Sequence, residues 1–327
     1  MEPFDAAVNT SLLQSPILYH IWLDKVCQKP MLKYNWKEET HFLHQLGLGM
    51  EETMRYLFHH KPSFSDFEQW IIDHDLGIST AADVEKALQL EQQNREEEIP
   101  DVMSPADLAF WEKNGYIVLK NAIPKAQCQA TVEAIWGHLG ASPDDRESWY
   151  RPHDDLRGIM LTTYHHTTLR QNRASKRIRR AYQQLYGTKE IYLNIDKVGY
   201  NPPNDAHHSF KGSGLHWDTS LVPPISHDLQ GLLYLTDTGE HDGAFHCVPG
   251  FHLEIEDWLA SLPKDADPRE LAPKVLKAVP VTGDAGDFII WRESLPHCAT
   301  PNCGKTPRMV QYMTYLPLEM REEKAWK

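Results

Sequence analysis

The stretch Gly214-Leu215-His216-Trp217-Asp218-Thr219-Ser220 sets an imidazole and a carboxylate two residues apart with an aromatic ring between them. In an extended segment the side chains at i and i+2 share a face, so His216 and Asp218 converge while Trp217 points away into packing. Such a pair suits a metal ion, a hydrogen-bonded couple or plain surface chemistry. Far along the chain, GDFIIWRESLPHCATPNCGKTPRMVQYMTY adds His297 beside a strand-like run. Arg308 follows eleven positions later, leading into a second apolar run.

Two histidines and one carboxylate can occupy one face of an octahedral Fe(II), leaving three positions open. An α-keto acid would take two of them and O₂ the third. Arg308 would offer a planar fork to the distal carboxylate of 2-oxoglutarate, an anion that offsets the cost of burying a guanidinium. Two other classes use the same residues. Zinc on this set would activate water for hydrolysis or isomerisation. A catalytically silent chain would only bind a ligand or a protein.

The elements that must position these groups divide the chain. Residues 1–100 read as a helical N-terminal region: LLQSPILYHIWLDKV and EETMRYLFHH have helical apolar spacing, and Ser63 with Asp66 and Thr80 with Asp83 mark helix starts. No convergent polar cluster stands out there, so packing or substrate covering is its expected role. From about residue 101 to 327 a second unit begins, with Ser104, Pro105 and Asp107 opening a helix, Gly115 closing it, and YIVLK as a strand. From Ile191 onward, short apolar runs separated by Pro, Gly and Asp favour an antiparallel sandwich or barrel.

Composition narrows the partners. The 327 residues carry a net charge of −13, which disfavours general affinity for nucleic acid or an anionic membrane surface. The basic stretch RQNRASKRIRR, residues 170–180, reads as a solvated helix face. No apolar run approaches the ~20 residues that span a bilayer, and the opening MEPFDAAVNT lacks the order of a secretory signal. Five scattered cysteines form no disulfide framework, so a cytoplasmic protein is expected.

FWEKNGYIVLKNAIP, LHWD, GLLYLTDTGEHDGAFHCVPGFH, GDFIIW, LPHCATPN and TPRMVQYMTY occur in this order and spacing. Together they resemble the phytanoyl-CoA dioxygenase-like Fe(II)/2-oxoglutarate oxygenases over roughly residues 103–317. The resemblance implies a mainly β fold, a double-stranded β-helix (jelly roll) core with flanking helices. It implies His216, Asp218 and His297 as iron ligands and Arg308 as the 2-oxoglutarate carboxylate partner. It also implies oxidation, by hydroxylation above all, of a small-molecule substrate with release of succinate and CO₂. Asp218 argues against the halogenating members, in which a small residue replaces this carboxylate. Asn194 and Lys197, on a strand before His216, and Asn302 after His297 become cofactor-binding candidates. Lys197 on the surface and Asn302 as a turn-forming residue are the alternatives. Asp205, His207, His208 and Lys211, in a loop beside the metal motif, are substrate-pocket candidates, as are Trp291 and Arg292.

Overall fold

The structure, a computed structural model, describes residues 8–29, 34–206 and 209–319. Two compact units form within it. One comprises the described residues up to Glu98 together with Lys189–Ile195 and residues 316–319; the other comprises Ile99–Thr188 and the described part of Asp196–Tyr315.

In the first unit, helices α1 (Pro16–Lys25), α2 (Trp36–Gln45), α3 (Met50–His60), α4 (Phe64–Asp73) and α5 (Ala81–Glu96) start where cap chemistry places them. Ser63 and Asp66, and likewise Thr80 and Asp83, satisfy each other's backbone N–H groups in reciprocal boxes. Leu18, Ile21, Leu43, Leu57, Phe67 and Ile71 are fully buried and form its core. A polar cluster that periodicity does not reveal lies in the same unit. Buried Glu39 meets His20 at 3.2 Å and Lys25 at 3.2 Å, pairing that a buried carboxylate needs.

The second unit opens with α6 (Pro105–Asn114), capped by Ser104 and Asp107 and closed by Gly115 at φ +74°. A Cβ at Gly115 would sit 2.5 Å from His252 Nδ1, so both the conformation and the space call for glycine. Strand β1 (Tyr116–Leu119), helix α7 (Lys125–Leu139), strands β2 (Leu156–Arg157) and β3 (Met160–Leu161), and helices α8 (Thr167–Arg173) and α9 (Lys176–Tyr186) follow. Strand β4 (Ile191–Asn194) belongs to the first unit. Then come β5 (Val198–Asn201), β6 (Leu229–Tyr234), β7 (Phe245–Cys247), α10 (Ile255–Ser261), α11 (Pro268–Val275), β8 (Val279–Val281), β9 (Phe288–Arg292), β10 (His297–Ala299), β11 (Arg308–Tyr312) and β12 (Thr314–Pro317).

A seven-stranded antiparallel sheet runs in the order β1-β9-β6-β11-β5-β3-β2, and a three-stranded sheet in the order β10-β7-β8. Leu232, Tyr234, Ile289, Trp291 and Val310 from the large sheet share one buried cluster with Phe245, Cys247 and Val281 from the small one. Two antiparallel sheets closed over a common apolar core, with helices outside, make the jelly roll that the family resemblance implies, one form of the sandwich or barrel that the short punctuated strands favour. On the outer face, Asn172 donates to Gln311 Oε1 at 2.8 Å, and Tyr182 packs over Gly231 and Phe288. The basic stretch is not wholly solvated. Arg173 and Arg179 are buried, and Arg173 donates to the carbonyls of Tyr164 and Asp196 at 2.6 and 2.7 Å, which replace the water it gives up.

Candidate active site

Backbone pairing brings the two histidines together. His216 and His297 exchange N–H···O=C bonds of 3.0 and 2.9 Å, an isolated bridge that extends the small sheet by one residue. His216 is therefore a bridge residue followed by a bend rather than part of a regular strand. Trp217 is buried and donates its indole N–H to the Ser294 carbonyl at 3.0 Å. Arg269 of α11 braces the same segment, its fork donating to the Trp217 and Thr219 carbonyls at 2.7 Å each. Asp218 is thus held by backbone contacts on both sides. Its Oδ1 lies 3.6 Å from His216 Nε2 and its Oδ2 lies 3.3 Å from His297 Nε2.

The tautomers follow from the neighbours. His216 Nδ1 lies 2.8 Å from the Gly214 carbonyl, and His297 Nδ1 lies 3.1 Å from the Leu295 carbonyl. A carbonyl oxygen only accepts, so each Nδ1 carries its proton and each neutral imidazole presents an Nε2 lone pair. Two lone pairs and a carboxylate then converge within 4.8 Å of one another, an arrangement that suits a cation. A proton can serve, and the His297 imidazole beside Asp218 holds its carboxyl well below the usual carboxylate range against the opposing effect of burial. A divalent first-row metal serves all three donors at once, and this N₂O set fits Fe(II) with open positions.

These groups line a cavity of about 400 Å³ that also reaches Arg308, the first residue of β11. Arg308 is 2% exposed, its guanidinium lies 5.7 Å from the Tyr234 ring, and its Nε and Nη1 have no hydrogen-bond partner. Unsatisfied cationic donors at such depth are costly unless an anion meets them. Apolar walls come from Ile159, Met160, Leu232 and Phe245.

The other sequence candidates separate. Trp291 lines the cavity, and its indole N–H donates to Gln230 Oε1 at 2.9 Å. Arg292 is its neighbour on β9 and points the other way by strand alternation, pairing with Glu112 at 3.0 Å and stacking over Trp111. Asn194 ends β4 in the first unit and is not among the lining residues. Lys197 falls between β4 and β5 rather than on a strand, and does not line the cavity either. Asn302 is fully buried, but its amide serves a turn: it donates to the Asn201 and Thr306 carbonyls and accepts from the Gly304 N–H. Asp205 and exposed Lys211 are absent from the lining, and His207 and His208 lie outside the described residues. From the same loop it is Phe210 and Ser213 that reach the cavity. Gln230, Arg157 and Tyr312 line it too and went unnamed in the sequence. Gln230 had a signal, because it shares strand parity with Leu232 and Tyr234.

A family model described as phytanoyl-CoA dioxygenase (PhyH) matches residues 111–310. The chain belongs to the phytanoyl-CoA dioxygenase family. It is a non-haem iron, 2-oxoglutarate-dependent dioxygenase. A Dictyostelium discoideum protein that carries a phytanoyl-CoA dioxygenase name is 20% identical, over 64% of this chain and 74% of its own length. Methylphosphonate hydroxylase from Gimesia maris is 24% identical, over 68% of this chain and 85% of its own. Ectoine dioxygenase from Bordetella bronchiseptica is 21% identical, over 67% of this chain and 77% of its own. Among solved structures, AviO1 from Streptomyces viridochromogenes superposes with a TM-score of 0.50 at 18% identity, covering 69% of this chain and all of AviO1, and shares the fold. No helix among the described residues is long and apolar enough to cross a membrane.

Proposed function

We propose that this family member hydroxylates a small organic molecule, with His216, Asp218 and His297 holding Fe(II) and Arg308 binding the distal carboxylate of 2-oxoglutarate. The observation that carries the reading is Arg308: a buried guanidinium with two unpartnered nitrogens opens into the same cavity as the three converging donors. When bound, iron with 2-oxoglutarate and O₂ supplies the oxidation, in which R–H, O₂ and 2-oxoglutarate become R–OH, succinate and CO₂. The chain's residues provide the setting. Both imidazoles are fixed as Nε2 donors by their carbonyl partners, and the Asp218 carboxylate balances part of the metal's charge. Ile159, Met160, Leu232 and Phe245 present an apolar wall to the substrate and exclude water from the reacting face. The relatives named for methylphosphonate and ectoine support a small substrate rather than a polymer.

The test is a screen of small metabolites scored by both succinate release and product mass under ¹⁸O₂. Substrate-dependent succinate together with one labelled oxygen in the product is the expected result. Asp218→Ala should lose Mn(II) binding and coupled turnover together. Oxidised product formed at the wild-type rate without Fe(II) or 2-oxoglutarate would defeat the reading; an unlabelled product two mass units lighter than substrate would replace hydroxylation with desaturation or ring closure, and an unlabelled product sixteen units heavier would mean exchange of the oxygen with water.

A further inference from the structure

We infer that Gln230 is a positioning residue for the metal-binding carboxylate, held in its working orientation by Trp291. The inference rests on Asp218 being a metal ligand. Gln230 and Trp291 sit directly opposite each other in the β6–β9 register. The Trp291 indole N–H lies 2.9 Å from one end of the Gln230 amide, and the other end lies 2.9 Å from Asp218 Oδ2. An indole N–H can only donate, so the amide oxygen must face Trp291 and the amide NH₂ must face Asp218. The rotamer that would aim a carbonyl at the carboxylate is excluded by a second residue, itself 3% exposed.

This three-residue chain has a directional consequence. The Gln230 N–H takes up a lone pair of Asp218 Oδ2 and resists rotation of the carboxylate about its Cβ–Cγ bond. A carboxylate free to rotate could close on the metal with both oxygens and consume a position that the cosubstrate or O₂ requires. One restrained on a single oxygen keeps that position open. The hydrogen bond also draws charge from Asp218 and tempers its donation to the metal, as partners of metal ligands generally do. Both anchors stand on paired strands of the large sheet, so the restraint belongs to the scaffold rather than to a loop.

The test uses the full chain loaded with Mn(II) for affinity and Co(II) for its electronic absorption, which reports coordination number. Gln230→Leu, of similar volume and without hydrogen bonds, should weaken Mn(II) binding about 10-fold or more and alter the Co(II) spectrum. Trp291→Phe should shift both readouts in the same direction by less, because the amide is then free to turn. In the Gln230→Leu background, Trp291→Phe should add nothing, the non-additivity of a chain acting through one residue. Should Gln230→Leu fail to fold in the metal-free state, Gln230→Met carries the same comparison. Wild-type affinity and spectrum in the Leu or Met variant, or additive effects of the two substitutions, would overturn the inference. His297→Ala separates it from the underlying reading: if that variant binds Mn(II) as wild type does, the ligand assignment fails first.

Discussion

Replacing Arg308 gives the sharpest quantitative expectation. The guanidinium is 2% exposed, and its Nε and Nη1 are unpartnered in the protein. A bound carboxylate would supply two charge-assisted hydrogen bonds, each contributing about 1.5–3 kcal/mol. Arg308→Leu fills similar space without donors and should therefore cost about 3–6 kcal/mol, or ~10²- to 10⁴-fold in 2-oxoglutarate affinity. Arg308→Lys keeps the charge and loses the fork, so it should recover about half of that free energy. The assay is an anaerobic calorimetric titration of 2-oxoglutarate into Mn(II)-loaded protein, with Mn(II) affinity measured in parallel. Metal affinity should stay within about threefold of wild type, because the three proposed metal-binding side chains are separate from the fork. A Leu variant that binds 2-oxoglutarate as tightly as wild type would refute the assignment. Equal losses for metal and cosubstrate would point to a collapsed site instead of a missing fork.

Other outcomes follow from residues placed outside the chemistry. Asn302→Ala strands the Asn201 and Thr306 carbonyls and the Gly304 N–H, so it should lower unfolding free energy by about 2–4 kcal/mol in urea melts, with little change in 2-oxoglutarate affinity per folded molecule. Arg292→Ala removes the pair with exposed Glu112 and the stacking over buried Trp111 and should cost about 1–3 kcal/mol, leaving both metal and cosubstrate titrations unchanged. Burial pushes the Cys128 thiol up to about 11 and the Cys247 thiol up to about 12. In native protein near neutral pH, mass-mapped alkylation should mark exposed Cys303 first and spare those two until denaturant is added.

What the sequence made legible was local or periodic. Ser63 with Asp66, Thr80 with Asp83 and Ser104 with Asp107 declare helix starts because a cap acts over three residues. An antiparallel sandwich or barrel was legible from short apolar runs and their punctuation, and the jelly roll from the family resemblance of the ordered motifs. Strand parity could also have separated Trp291 from Arg292, and could have advanced Gln230. Other features depend on partners far away in the chain. Arg173 looked solvated because the carbonyls of Tyr164 and Asp196 that receive it carry no sequence signature. Arg157 and Met160 sit in two-residue strands too short to show a pattern, and Phe210 enters from a loop. Lys197 was read as strand because IYLNIDKVGY is apolar enough overall, whereas the chain leaves β4 at Asn194 and resumes pairing at Val198.

The reciprocal backbone bonds between His216 and His297 have a thermodynamic reach beyond geometry. On the proposed assignment they would make two residues far apart in sequence act as a single chelate whose bite is set by a β-bridge, with ring centroids 4.7 Å apart. Once one imidazole engages a metal, the second is already present at high effective concentration, and little conformational entropy remains to be lost. Small domains that fold only around their metal couple ion loss to unfolding. Here the bridge is made by the peptide chain itself, so on the proposed ligand assignment the amides of His216 and His297 should stay protected from hydrogen exchange whether or not the ion is bound. A metal bound there would still add to the stability of the fold by mass action, but the fold would not depend on it to form.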